Sequence, residues 1–141
     1  MSNKDPADER NSNPKAFPRI LCAEDNEHVR ASLAALFASH KLSVVFVADG
    51  QHALDLLSAQ PDAFDLLITD HQMPRLDGLA LVRHLRESDF PGHIIVFSSS
   101  LHPKDRAAYR VLRVDDLLTK PDHGLDLIKL IEQLHYRHHH P

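Results

Sequence analysis

Phe64–Gly78, FDLLITDHQMPRLDG, is the stretch that decides the fold. Phe64 to Thr69 is apolar but for Asp65 and ends in a threonine, the run expected of a strand buried on both faces of a parallel sheet. The run stops at Asp70. Met73-Pro74 and Asp77-Gly78 then mark a loop leading into a helix, with Asp77 as its cap. A carboxylate therefore stands at the carboxyl end of a central strand, where open α/β sheets place their chemistry.

The pattern repeats on both sides of this stretch. Upstream, Arg19 to Ala23 reads as a short strand ending in Glu24-Asp25-Asn26. A helix follows, capped by Asn26 or a neighbouring acid, with Val29, Leu33, Leu36 and Phe37 at helical spacing. Val44 to Val47 reads as a second buried strand, and Asp49-Gly50 opens a helix with Leu54 and Leu57 inward. Downstream of Gly78, Leu81, Val82 and Leu85 face inward, while Arg83, His84, Arg86 and Glu87 face water. His93 to Phe97 is a fourth strand, ending in Ser98-Ser99-Ser100. Pro103 suits a first helical turn, and Ala107, Ala108, Val111 and Leu112 suggest the inner face of that fourth helix. Val114 to Thr119 is a fifth strand, less apolar and suited to a sheet edge, closed by Lys120-Pro121. A last helix from about Gly124 to Tyr136 turns Leu127, Ile128, Ile131 and Leu134 to one side. Five strands alternating with five helices imply a doubly wound α/β domain, its parallel sheet covered on both faces.

Composition sets the limits. The chain of 141 residues is 43% hydrophobic and 26% charged, which suits one globular domain with short tails. Residues 1–16 are almost devoid of apolar side chains and read as a loose tail; residues 17–136 form the domain. Residues 137–141 are a histidine-rich end, where consecutive histidines lack the fixed geometry of a metal site and read as a solvated tail. A net charge of −4 argues against a nucleic-acid surface as the main function. Cys22 is the only cysteine, which excludes an internal disulfide and a cysteine-built metal site, and its place in an apolar strand suggests a buried, inert thiol. No run approaches the ~18 apolar residues of a membrane span, and the charged start is unlike a signal peptide. The expected location is cytoplasmic.

Polar groups mark the strand ends: Glu24-Asp25 after the first, Asp70 after the third, Ser98 after the fourth and Lys120 after the fifth. In a parallel sheet these ends share one edge. Three crowded carboxylates attract a hard cation, and an oxygen-only site with open positions suits Mg2+. A carboxylate beside such an ion can attack a phosphoryl group, whose charge a lysine and a hydroxyl then meet.

From about residue 18 to 136 the chain resembles the receiver domains of bacterial response regulators, CheY-like proteins of two-component phosphorelays. The pieces that carry the resemblance are Glu24-Asp25, D-x-x-M-P-x-x-D-G from Asp70 to Gly78, Ser98 after I-I-V-F, and L-T-K-P ending at Lys120-Pro121. It implies a flavodoxin-like (βα)5 sheet in the order 2-1-3-4-5, without an attached output domain. It implies phosphorylation of Asp70 by a sensor histidine kinase or histidine phosphotransfer protein. Mg2+ would be held by Glu24, Asp25, Asp70 and the backbone carbonyl of Gln72. Ser98 and Lys120 would bind the phosphoryl group, and the Lys120–Pro121 bond would be cis. The only catalysis implied is of the domain's own phosphorylation and dephosphorylation, with signalling through a downstream protein and either a monomer or a dimer through the fourth helix, fifth strand and fifth helix. Gln72 and Ser100 occupy family positions that influence phosphoryl lifetime. Two positions depart from the family: Leu117 replaces the usual aromatic three residues before the lysine, and Arg113 stands where a small residue or glycine is common.

Other readings of the same residues include a degenerate receiver that binds partners without phosphate. An aspartyl-phosphate hydrolase would want a second aspartate where Gln72 stands. A flavin or nucleotide binder would want a Gly- or Ser/Thr-rich loop where Glu24-Asp25-Asn26 stands.

Overall fold

A computed structural model describes residues 18–120 and 125–139. The tail expected over residues 1–16, the Lys120–Pro121 bond and the last two residues lie outside the described residues. The elements run β1 (Ile20–Ala23), α1 (Glu27–Ser39), β2 (Val44–Val47), α2 (Gly50–Ala59), β3 (Leu66–Thr69), α3 (Gly78–Glu87), β4 (His93–Ser98), α4 (Pro103–Val111), β5 (Asp116–Thr119) and α5 (Leu125–His139). The sheet is parallel in the order β2-β1-β3-β4-β5.

Alternation along each strand divides the core in two. Ile20, Cys22, Leu66, Ile68, Ile95 and Phe97 point to one face and pack with Leu33 and Phe37 of α1 and with Leu127, Ile128 and Ile131 of α5. Leu21, Ala23, Leu67, Ile94 and Val96 point to the other, against Ala53 and Leu57 of α2, Leu81, Val82 and Leu85 of α3, and Tyr109 of α4. Both faces of β1, β3 and β4 are thus covered, which explains their unbroken apolar runs.

Capping fixes where three of the helices begin. Asn26 Oδ1 accepts from the Val29 N–H at 3.0 Å, Asp49 Oδ1 from His52 at 2.7 Å, and Asp77 Oδ1 from Ala80 at 2.8 Å. Pro103 occupies the first turn of α4, as its fixed φ allows.

Four expectations need correction. β2 is an edge strand rather than a buried one, with β1 on one side only, and Val45 is half exposed while Val47 on the same face is buried. The buried residue of α4 is Tyr109, while Val111 is 80% exposed and Ala107 faces out. Arg86 does not simply face water: its Nε donates to Leu112 O at 2.8 Å and its Nη2 to Arg113 O at 3.1 Å, closing the end of α4. β1, β3 and β5 also begin one or two residues later than expected; beside these starts Asp65 Oδ2 accepts from the Arg19 N–H and Asp115 Oδ2 from the Ile94 N–H, each at 2.8 Å.

Candidate functional site

Glu24, Asp70, Ser98 and Lys120 meet at the carboxyl edge of the sheet because β1, β3, β4 and β5 run parallel and end there. Register holds the ends level. The Asp70 N–H donates to Ala23 O at 3.0 Å, and the Lys120 N–H to Ser98 O at 2.9 Å. Asp25 is exposed beside buried Glu24. One carboxylate oxygen each from Glu24, Asp25 and Asp70 lies within 4.8 Å of the others, so the acidic cluster expected from the strand ends is assembled. Three carboxylates at this spacing suit a hard cation with oxygen ligands. Gln72 is exposed in the β3–α3 loop.

Lys120 spans the acids. Its Nζ is 2.6 Å from Glu24 Oε1 and 3.0 Å from Asp70 Oδ2, and it sits 5.8 Å from the centre of the Phe97 ring. Burial works against its charge, but the bonds to Glu24 and Asp70 outweigh burial and hold its pKa above the usual value. Burial, with the charge of Asp70, pushes Glu24 upward against the bonds from Lys120 and from the Asn26 N–H at 3.1 Å. The two shifts are compatible. Lys120 has two anions to itself, whereas Glu24 has one cation and a repelling neighbour. Arg30 adds a bond from Nη1 to Glu24 O at 2.8 Å.

Ser98 is buried, and its hydroxyl donates to Ser100 O at 3.3 Å. Burial drives the Cys22 thiol strongly upward, keeping it protonated and inert as expected.

The site includes a contact that the sequence pattern did not reveal. Asp70 Oδ1 accepts from the His71 N–H at 2.7 Å, and the His71 ring turns back into the fold. Its Nδ1 is 2.7 Å from the Tyr109 hydroxyl and its Nε2 is 3.3 Å from Asp105 Oδ2. The only hints in sequence were a histidine directly after Asp70 and a lone aromatic in the polar helix PKDRAAYRV.

A family model described as the response regulator receiver domain matches residues 20–134. The chain belongs to this family. Among its relatives, the Regulator of RpoS from Escherichia coli K12 is 34% identical over 116 residues, covering 82% of this chain and 34% of that protein. Response regulator MprA from Mycolicibacterium vanbaalenii is 37% identical over 103 residues, 73% of this chain and 44% of its own length. The chain thus spans less than half the length of these curated relatives. The Francisella response regulator 1452 receiver domain superposes with a TM-score of 0.75 at 26% identity, covering 85% of this chain and 98% of that one. The receiver domain of sensor histidine kinase PA1611 from Pseudomonas aeruginosa PAO1, solved with magnesium coordinated in its active-site cleft, gives 0.72 at 26% identity, over 82% and 95%.

The flavodoxin-like receiver fold and its 2-1-3-4-5 order are therefore as expected. Receiver domains are signalling domains of two-component systems that bind Mg2+ at an acidic pocket. In this receiver Leu117 packs partly buried in the same cluster as Tyr109. Arg113 follows the end of α4 with φ 59°, the left-handed conformation that favours glycine. No helix among the described residues is long and apolar enough to cross a membrane.

Proposed function

We propose that this receiver takes a phosphoryl group on Asp70 from the phosphohistidine of a sensor histidine kinase or histidine phosphotransfer protein. The observation that carries the reading is the convergence of Asp70 with Glu24, Asp25 and Lys120 at one sheet edge. An Asp70 carboxylate oxygen attacks phosphorus, the new O–P bond forms as the P–N bond breaks, and the electron pair leaves with the imidazole. Lys120, already shared between Glu24 and Asp70, supplies positive charge to the incoming group. The Ser98 hydroxyl makes one long bond to Ser100 O, which it can exchange for a phosphoryl oxygen. Glu24, Asp25, Asp70 and the backbone carbonyl of Gln72 would hold Mg2+, which when bound neutralises charge on the transferring group. Attack of water on the acyl phosphate returns free Asp70, so the domain catalyses nothing beyond its own loading and unloading. Output is contact with a downstream protein in the cytoplasm, by a monomer or a dimer through α4, β5 and α5, without direct binding of nucleic acid or membrane.

Intact-mass spectrometry after incubation with acetyl phosphate tests this reading. One added phosphoryl group is expected with Mg2+, and none with chelator or in Asp70→Asn. A folded wild-type protein that gains no mass under any of these conditions would instead be a degenerate receiver, a phosphate-independent binding module.

A further inference from the structure

We propose that the His71–Tyr109 hydrogen bond is the coupling that carries a change at Asp70 into helix α4, in place of the aromatic that Leu117 lacks. The proposal rests on Asp70 being the phosphoacceptor. His71 is held on three sides. Its N–H donates to Asp70 Oδ1 at 2.7 Å, its carbonyl accepts from the Gly78 N–H at 2.7 Å, and its Nδ1 meets the Tyr109 hydroxyl at 2.7 Å. One residue thus joins the acceptor carboxylate to the first turn of α3 and the middle of α4. Asp105, one turn before Tyr109, reaches the far side of the ring at 3.3 Å.

Tyr109 is suited to transmit rather than absorb a displacement. It is fully buried in the cluster that also holds Leu117, so its hydroxyl cannot exchange His71 for water freely. Burial, with the charges of Asp77, Asp105 and Asp70, keeps the phenol protonated and able to donate. With Tyr109 donating to Nδ1, the ring nitrogen left to donate is Nε2, which faces Asp105 Oδ2 at 3.3 Å. Gly78 makes room for the contact, since a Cβ there would lie 2.7 Å from the Tyr109 oxygen. When Asp70 becomes an acyl phosphate, its carboxyl group loses the charge that shortens the His71 N–H bond. The His71 amide then moves, and the ring drags Tyr109 and α4 with it.

Amide NMR with beryllofluoride and Mg2+, a phosphoryl mimic, tests the coupling. In the wild type, shifts should appear at Thr69–His71 and across α4 from Lys104 to Val111. Tyr109→Phe keeps the ring and its packing. It should still bind the mimic, with shifts at Thr69–His71 retained and those in α4 reduced by about threefold or more. His71→Gln, which keeps an acceptor for the phenol, should restore part of the α4 response that His71→Ala loses. A static strut would instead lower the melting temperature of Tyr109→Phe and leave the α4 response at its wild-type size, which would overturn the coupling. So would a wild type that loads the mimic without moving α4. Failure of the wild type to bind the mimic at all would overturn the Asp70 reading itself, and the coupling with it.

Discussion

Replacing Lys120 with methionine keeps most of the unbranched stem and removes the charged ammonium. The ammonium stands 2.6 Å from Glu24 and 3.0 Å from Asp70, with Glu24 only 2% exposed. At an effective dielectric of about 20 each contact is worth about 6 kcal/mol of attraction, most of it offset by desolvation. Removing the cation strands buried Glu24 beside Asp70 and Asp25, and breaking a buried pair in this way costs about 3–5 kcal/mol. At about 4 °C per kcal/mol for a domain of this size, melting should fall by about 12–20 °C at pH 7 in chelator. The deficit should shrink under two conditions. Glu24 is already pushed upward by burial and by Asp70, and losing Lys120 removes the strongest opposing bond. A raised carboxyl binds protons more readily folded than unfolded, so the variant gains on the wild type as pH falls from about 7 to 5. Mg2+ should also narrow the gap by binding the folded variant, whose acids have lost the ammonium, more tightly than the wild type. Thermal melts by circular dichroism in chelator, in Mg2+ and at the two pH values make the comparison. A variant within about 3 °C of the wild type in chelator, or a deficit indifferent to both protons and Mg2+, would refute this view of the site.

Further predictions concern the frame around it. In Gly78→Ala the new Cβ would strike Asp70 O and the Tyr109 hydroxyl, so we expect a loss of about 2 kcal/mol, or about 8 °C, and slower loading from acetyl phosphate. Arg113→Gly relieves a left-handed backbone and should raise melting by about 2–4 °C, since the conformation costs a non-glycine residue up to about 1 kcal/mol. Burial opposes the charge of Asp115, but His93 Nδ1 at 3.0 Å and the Ile94 N–H at 2.8 Å outweigh it and hold the carboxyl below its usual range. Its contribution is therefore present above about pH 4 and lost as pH falls through the depressed value. Asp115→Asn should be less stable by about 1 kcal/mol at pH 7, with denaturant curves converging below about pH 3.

Most of the fold is legible because β1, β3 and β4 are covered on both faces and write unbroken apolar runs between capped helices. Glu24, Asp25, Asp70, Ser98 and Lys120 are legible for a related reason, as polar residues that end such runs. β2 reads as buried because VVFV is apolar throughout, although its position at the sheet edge leaves Val45 half exposed. Periodicity places Arg86 outward, but a long guanidinium stem lies along the surface to reach Leu112 O and Arg113 O. In α4 the aliphatic residues suggested one face and the buried Tyr109 defines another. Its partner, His71, lies 38 residues away, and only the docking of α4 on α3 brings them together.

Asp70 is the proposed seat of the phosphoryl group, and the chemistry of the acyl phosphate tests it directly. Borohydride reduces an acyl phosphate to the corresponding alcohol, so an aspartyl phosphate leaves homoserine in its place. Reduction after loading with acetyl phosphate and Mg2+, followed by peptide mass mapping, should find homoserine at residue 70 and at no other acidic position. Label at Glu24 or Asp25, or a loaded protein that yields no homoserine, would contradict it.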